Sequence, residues 1–283
     1  MKEIHVHINS KEQLKALSSC NIKIKRIYLD YHLFLDDTYD FLSENKDIEL
    51  FAALPYMARS EQYVDAIKDI LSIIEKDKKN LIKGFLVRNL EELGFFEELS
   101  KDFCIVSDYG LYTFNSTSVK FLVDNSKISE CCLPYELNKK EMQKLLNEVS
   151  SDIKFSFPIY GRIPMMISAN CILKTDNRCS GCMGQNHREY THIIDRKNNK
   201  LQVICDCQNC ANVIYNSAVT SMHNYMADIE KFDKIYALRI DFTTENYIES
   251  MNVLNFWERT LKHENTEPPY KEFTAGHFKR GVE

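Results

Sequence analysis

The chain has 283 residues, of which 44% are hydrophobic, and a formal net charge of -5 at pH 7. This length and apolar content support a large hydrophobic core and exclude an intrinsically disordered chain. The opening stretch MKEIHVHINSKEQL lacks the apolar segment of a secretory signal, and no run of about 18 apolar residues follows, so the sequence predicts a cytoplasmic protein without a membrane partner.

Eight short runs of apolar, β-branched or aromatic residues predict β-strands, and amphipathic helical patterns lie between most of them. Most of the strand starts are roughly 20 to 35 residues apart, a spacing typical of repeated β-α units around a parallel sheet. Eight units predict an α/β fold, a (β/α)8 TIM-barrel-like single domain over residues 1–283. The alternative is an open, doubly wound sheet. The predicted strands begin near Ile4, Lys25, Ile48, Ile82, Phe103, Ile128, Ile153 and Lys234.

One interval breaks this spacing. Roughly 70 residues separate the seventh predicted strand, ending near Gly161, from the eighth, and a single loop and helix need far fewer. The sequence therefore predicts a cysteine-rich insertion over residues 163–217, in which THIIDRKNNKLQVIC forms a β-hairpin. A loop that follows a barrel strand lies at the carboxyl end of the barrel, where active sites are found. The insertion is thus expected to lie over that end.

Six of the ten cysteines fall in this insertion, among polar residues rather than in apolar runs. Cys207 and Cys210 form a C-x-x-C pair, and Cys171 and Cys179 lie upstream of the hairpin. Four thiolates suit either a structural zinc ion or an iron–sulfur cluster, and the spacing does not distinguish them. Two further cysteines are alternate ligands, Cys182 and Cys205. The other four are predicted to be small buried hydrophobic residues: Cys20, Cys104, Cys131 and Cys132.

Charged residues follow several of the predicted strands and are expected to ring the mouth of the barrel. Arginines in such a ring suit a dicarboxylate or phosphate, which they bind in bidentate fashion. The alternative is that these charged residues pair with one another. The catalytic candidates are Glu136, Arg88, Arg162, Arg239 and Asp241, and Asp30 and Asp108 belong to the same ring.

Because the chain is acidic overall, binding to nucleic acid would need local basic patches. Tyr190 and Tyr215 are candidate surfaces for stacking an unpaired base. The alternative is that the patches are ordinary solvated surface charge. They comprise Arg178, His187 and Arg188; Arg196, Lys197 and Lys200; and His277, Lys279 and Arg280.

Several ordered motifs, YGRIPMM, SANC, IIDRKNNKLQV and CQNCANVIYNS, resemble those of the collagenase-like peptidases, family thirty-two of the unassigned peptidases. The resemblance implies a barrel that carries a [4Fe–4S] cluster on Cys171, Cys179, Cys207 and Cys210. It also implies oxygen-independent hydroxylation of a tRNA or rRNA base, or of a ubiquinone precursor. Prephenate is then a candidate co-substrate and oxygen source for the RNA reaction, and a paired family subunit is a candidate partner.

A peptidase would need a nucleophile with a base or an open metal site. The sequence contains neither G-x-S-x-G nor H-E-x-x-H, and Cys182 with His187 or His192 is the one cysteine–histidine arrangement it suggests. We therefore predict an iron–sulfur hydroxylase-type enzyme acting on tRNA or rRNA. The alternatives are a collagenase-like peptidase and a non-catalytic subunit of a related family member.

Overall fold

The computed structural model describes residues 2–35, 47–57, 63–77, 80–98, 103–179, 188–207 and 210–280. Its strands are β1 (Glu3–Ile8), β2 (Arg26–Asp30), β3 (Glu49–Ala53), β4 (Ile82–Val87), β5 (Cys104–Ser107), β6 (Ile128–Cys132), β7 (Lys154–Gly161), β8 (Pro164–Ser168), β9 (Arg188–Ile194), β10 (Lys200–Asp206), β11 (Ala211–Tyr215), β12 (Val219–Ser221), β13 (Ile235–Asp241) and β14 (Phe273–Thr274). Its α-helices are α1 (Lys11–Ser18), α2 (Tyr31–Leu35), α3 (Tyr63–Lys76), α4 (Leu90–Glu98), α5 (Ser116–Asp124), α6 (Lys139–Glu148), α7 (Ile172–Thr175), α8 (Met226–Ile229) and α9 (Tyr247–Leu261).

Eight parallel strands close into a barrel. Strands β1 to β7 pair in sequence order, and β13 pairs in parallel with both β7 and β1, which joins the two ends of the sheet. Each of the eight predicted strand segments forms one of these strands, so the predicted TIM-barrel-like α/β fold is confirmed. A closed sheet of this kind leaves no exposed edge among its eight strands.

Both faces of the barrel strands are buried, because helices cover the outside and side chains fill the inside. In β2, Ile27 and Leu29 belong to the large cluster of buried hydrophobic residues that includes residues of the covering helices. Tyr28, between them, belongs to a separate cluster inside the barrel with Phe51 and Leu86. This alternation follows from the two-residue period of a strand, which sends neighbouring side chains to opposite faces.

Four helices begin with a reciprocal capping box, in which the N-cap side chain and the third helical side chain each bond to the other's backbone. The sequence supplies the polar pairs at the required spacing, so these helix starts are set locally. The pairs are Ser10 with Gln13, Asn115 with Ser118, Asn138 with Glu141, and Asn246 with Glu249. None of the helices in the described ranges is long and apolar enough to cross a membrane.

A buried ion pair fills the amino end of the barrel. The Arg26 guanidinium donates from Nη1 and Nη2 to the two carboxylate oxygens of Glu130, at 2.6 and 3.2 Å, and Tyr236 also donates to this carboxylate. The guanidinium carbon lies 4.0 Å from the ring centroid of Phe51. Removal of either partner would leave the other as an unpaired buried charge, which is costly.

The predicted insertion forms a four-stranded antiparallel sheet in the order β8-β11-β10-β9. Strands β9 and β10 make a hairpin in which Ile194 pairs with Lys200. In its turn, the Asp195 carboxylate accepts hydrogen bonds from the backbone of Lys197 and Asn199, each at 2.8 Å. Further along the chain, β12 runs antiparallel to β7 and returns the chain to the barrel.

Candidate functional site

A network of buried charges lies at the carboxyl end of the barrel. Asp108, which follows β5, accepts hydrogen bonds from Nε of Arg88 at 2.9 Å and from Nη2 of Arg239 at 2.7 Å. Arg239 Nη2 also donates to Asp241 at 2.9 Å, and all four side chains are almost completely buried. Arg88 and Asp108 directly follow β4 and β5, and Arg239 and Asp241 lie within the last three residues of β13, so the fold brings the four together.

The two carboxylates of this network differ in proton affinity. Burial favours the protonated form of Asp108, but Arg239 and Arg88 outweigh it and lower the pKa of this carboxyl. Burial raises the pKa of Asp241, and Arg239 only partly opposes the rise. The hydroxyl of Tyr135 lies 3.4 Å from Asp241. Neighbouring carboxyls whose pKa values move in opposite directions are a common arrangement for acid–base chemistry.

A second group of charges connects the barrel to the insertion. Arg188 of β9 donates to Asp30 of β2 at 2.8 Å and lies 3.7 Å from Asp206 of β10. Asp206 also accepts from the hydroxyl of Tyr31 at 2.8 Å. Although burial would raise the pKa of Asp30, Arg188 and His32 lower it. These contacts place the antiparallel sheet over the carboxyl end of the barrel, as its position after β7 predicts.

Binding of an anion by the three candidate arginines stays a prediction, and the structure gives them different partners within the protein. Arg88 and Arg239 share Asp108, so their charges are matched within the protein, as the alternative of mutual pairing predicts. Arg88 also donates to Nε2 of His7 at 2.9 Å. Arg162 instead donates to the backbone carbonyls of Asn216 and Ser217. Glu136 is partly buried and makes no hydrogen bond or ion pair with the described residues.

Two predictions of nucleic-acid contacts need correction. Arg188 was expected to belong to a basic surface patch, yet only 8% of its side chain is exposed and it pairs with Asp30. Tyr215 was expected to offer a stacking surface, yet it is 1% exposed within a cluster with Ile204 and Val213. Tyr190 remains 44% exposed. His187 lies outside the described residues.

Four of the inserted cysteines share one small apolar cluster. Cys205 and Cys207 are buried in it with Leu173 and Val203, and Cys171 and Cys179 pack against it. Cys210 has a left-handed backbone, with φ of 46°, and its Sγ lies 3.9 Å from the carbonyl oxygen of Cys207. Cysteines from the segment before the hairpin and from the end of β10 thus contact one apolar cluster, and thiolates are common ligands of zinc ions and iron–sulfur clusters.

Within the described ranges, no three His, Cys, Asp or Glu side chains are grouped closely enough to hold a metal ion. Cys182, one of the alternate ligands, lies outside those ranges. The identity of the metal ligands therefore stays a prediction. Cys205 belongs to the shared apolar cluster, whereas Cys210 does not. Of the cysteines predicted to be buried hydrophobic residues, Cys131 and Cys132 are fully buried, and Cys20 and Cys104 are partly buried.

A cleft of about 520 Å³ opens beside the antiparallel sheet of the insertion. The hairpin contributes Tyr190 and Lys200 to its lining, and Arg162 after β7 also lines it. The loop after β13 and the start of α9 contribute Glu245 and Glu249. Its volume is in the range of small-molecule sites, and the loops after the last two strands of a TIM barrel commonly bind ligands.

Two buried acids, Asp206 and Glu92, carry no signal of their burial in the sequence. Asp206 stands between two cysteines in CDC and accepts from Tyr31, which is 175 residues away. Glu92 lies in the first turn of α4, where acidic residues are common and usually exposed. Its carboxyl is nevertheless 2% exposed, and neither oxygen has a hydrogen-bond partner in the described part of the chain. An acid that precedes an apolar helical residue gives no sequence signal of burial.

Glu92 should make the stability of the protein depend on pH. Burial raises the pKa of this carboxyl from 4.5 to about 8. The folded state therefore holds a proton that the unfolded state has lost between these pH values, so the free energy of unfolding falls as pH rises through this window. The Glu92→Gln variant should be more stable than the wild type at pH 8, by on the order of 4 kcal/mol, and should lack this slope. Urea denaturation at pH 5, 6, 7 and 8 measures both.

The matched control is Glu91→Gln, an exposed acid in the same helical turn. It should keep the pH slope of the wild type. If the free energy of unfolding of Glu92→Gln falls with pH as steeply as that of the wild type, the pH dependence belongs to another group.

The fold and the site define a class of protein, namely a TIM barrel whose carboxyl end is closed by an antiparallel, cysteine-bearing sheet. The structure of the U32 peptidase Mk0906 superposes on it with a TM-score of 0.51, over 87% of this chain and 94% of that chain, at 8% sequence identity. At this identity the likeness establishes the fold and leaves the chemistry to be argued from the site.

Two other structures align less well. MenC from Desulfotalea psychrophila LSv54 has a TM-score of 0.32 at 8% identity, over 55% of this chain and 46% of that chain. The chitinase ChiW from Paenibacillus sp. str. FPU-7 has a TM-score of 0.43 at 9% identity, over 94% of this chain and 43% of that chain. These scores bear on neither fold nor function. No protein-family model matches the chain, and no curated protein matches it in sequence.

Proposed function

We propose that this chain is an iron–sulfur enzyme built on the barrel of a U32 peptidase, and that it hydroxylates a base of tRNA or rRNA without molecular oxygen. One observation carries the proposal: Cys171 and Cys179 pack against the cluster that contains Cys205 and Cys207. That cluster belongs to the sheet that is tied to the carboxyl end of the barrel through Arg188. Thiols of the sheet and the acid–base groups of the mouth therefore belong to one region of the molecule.

A bound [4Fe–4S] cluster would supply one-electron chemistry at this end of the barrel. The residues of the chain have separate tasks. Asp241, with its raised pKa, is the group suited to hold and give a proton beside Tyr135. Asp108 stays ionised and holds Arg88 and Arg239 in place. Tyr190, which is exposed beside the cleft, is suited to stack an extruded base.

A peptidase is the second candidate, because the superposed structure is that of a U32 peptidase. In the described part of the chain, Ser221 lies 2.8 Å from Nδ1 of His223, which is the spacing of a nucleophile and its base. Ser221 is only 1% exposed, however, and it also bonds to the hydroxyl of Tyr270. This burial favours a structural hydrogen bond. Cleavage of denatured collagen, lost in Ser221→Ala, would support the peptidase instead.

The metal experiment begins with protein purified without oxygen. We expect about four iron and four sulfide per chain and the visible absorbance of a [4Fe–4S] cluster. Cys207→Ala should lose both, because a thiolate ligand is removed. A stoichiometric zinc content without sulfide would identify the zinc alternative, and the absence of both metals would contradict the proposal.

Two further variants decide the fourth ligand. If Cys205 is the fourth ligand, Cys205→Ala loses iron and Cys210→Ala keeps it, and the reverse holds if Cys210 is the ligand. If Cys182 is the fourth ligand, both variants keep iron. Cys20→Ala, a partly buried cysteine of the barrel, is the matched control and should keep the wild-type iron content. Circular dichroism of each variant separates loss of the metal from loss of the fold.

The RNA experiment is nucleoside mass spectrometry on total tRNA and rRNA from a strain that lacks the gene. We expect one hydroxylated base to disappear and to return when the wild-type gene, but not the Cys207→Ala gene, is restored. Addition of prephenate to the purified enzyme and RNA should restore the modification in vitro. An unchanged nucleoside profile would contradict the RNA reaction while leaving the metal result intact.

A further inference from the structure

The cleft beside the sheet contains opposite charges that do not neutralise each other. Arg162 and Lys200 line it from the side of β7 and the hairpin, and Glu245 and Glu249 line it from the side of α9. In the described part of the chain, none of these four side chains has an ion-pair partner within 4.0 Å. Two cations and two carboxylates thus line one cleft of about 520 Å³ without forming ion pairs across it.

The inner pair of charges is held in position by the fold. The Glu245 carboxylate accepts from the hydroxyl of Tyr160 at 2.9 Å and from the backbone of Thr243 at 2.6 Å. Arg162 is fixed through the carbonyls of Asn216 and Ser217, and its Nε is buried without a hydrogen-bond partner in the described ranges. A cation and an anion fixed in advance in the lining of one cleft require little reorganisation when a ligand binds.

The outer pair can adapt to the ligand. Lys200 is exposed on β10. One oxygen of Glu249 caps the backbone of Asn246 at 3.0 Å, and the other makes no hydrogen bond with the described residues. Tyr190 and Tyr270 also line the cleft and offer ring faces to an apolar or aromatic group.

We propose that this cleft binds a small zwitterion of the amino-acid class, with its carboxylate towards Arg162 and Lys200, its ammonium towards Glu245 and Glu249, and an aromatic or apolar part against the tyrosines. The balance of charge selects this class. A nucleotide phosphate would gain two cations but would also meet two carboxylates, whereas a zwitterion satisfies all four. This inference goes beyond the proposed RNA reaction and does not depend on it.

The test is equilibrium dialysis of the purified protein against the standard amino acids, with mass spectrometry of what is retained. We expect an aromatic amino acid to be retained. Its N-acetyl derivative and its carboxamide should each bind about 10- to 100-fold more weakly, since each loses one charge-assisted contact. Adenosine monophosphate is the competing probe.

Two variants test which end of the zwitterion contacts which charged residues of the cleft. Lys200→Gln should reduce the preference for a free carboxylate over the carboxamide, and Glu249→Gln should reduce the penalty for N-acetylation, because Arg162 and Glu245 remain in place. Glutamine at 249 retains the helix cap. Lys197→Gln, in the exposed turn of the same hairpin, is the control and should bind like the wild type.

Three results would overturn the inference: no amino acid is retained, blocked and unblocked forms bind equally, or adenosine monophosphate binds while the amino acids do not. None of them affects the iron content or the nucleoside profile, so the cleft and the proposed function succeed or fail separately.

Discussion

Replacing Asp108 with asparagine is expected to lower the free energy of unfolding by about 3–5 kcal/mol. Arg88 and Arg239 lie 2.9 and 2.7 Å from this carboxylate and are 5% and 1% exposed. The variant keeps the shape of the side chain and removes its charge. Two buried guanidinium groups then lack the anion they share, and only Arg239 keeps a close carboxylate, that of Asp241 at 2.7 Å. Urea denaturation at pH 7 measures the change.

The control for this prediction is Asp228→Asn. Asp228 also bonds to two cations, Lys139 at 2.8 Å and Lys231 at 3.5 Å, but on the surface. Solvent screens these pairs, so stability should change little. Because the arginines lower the pKa of Asp108, the difference between wild type and Asp108→Asn should also shrink as pH falls below the usual aspartate range. Equal effects of the two substitutions would show that the buried network contributes no more than surface pairs.

Replacing Gly84 with alanine is expected to destabilise the barrel by at least about 3 kcal/mol. A Cβ at this position in β4 would lie 2.0 Å from the carbonyl oxygen of Cys104 and 2.5 Å from the ring of Phe51. Gly84 pairs with Cys104 in the parallel ladder of β4 and β5. The contact atom is backbone, so relief requires the two strands to separate rather than a side chain to rotate. Thermal and urea denaturation measure the loss.

Gly94→Ala is the matched control, because no atom lies within 4 Å of a Cβ built at this exposed position of α4. Alanine there should stabilise the protein by up to about 1 kcal/mol, since it lowers the entropy of the unfolded chain and favours the helix. If Gly84→Ala leaves the free energy of unfolding unchanged, the β4–β5 ladder can shift to admit the Cβ without cost, and the prediction is wrong.

The sequence located the secondary structure because that information is local. A run such as IKGFLV predicts β4 from its own composition, and capping pairs such as Asn138 with Glu141 mark helix starts within four residues. The interval after Gly161 predicts an insertion and the alternation around DRKNNK predicts a hairpin, and in the structure β9 and β10 pair around this turn. Eight strands at regular spacing then left few arrangements other than the closed barrel.

Only the tertiary structure decided which charged groups meet. Asp108 and Arg239 are 131 residues apart, and Asp30 and Arg188 are 158 residues apart. These pairs belong to the buried charges at the carboxyl end of the barrel, and Tyr215 of β11 is buried in a cluster with Ile204 and Val213. Strand patterns depend on the few residues nearest in the chain. The partner and the solvent exposure of a side chain depend on groups that closure of the barrel brings together, and composition and spacing carry no record of them.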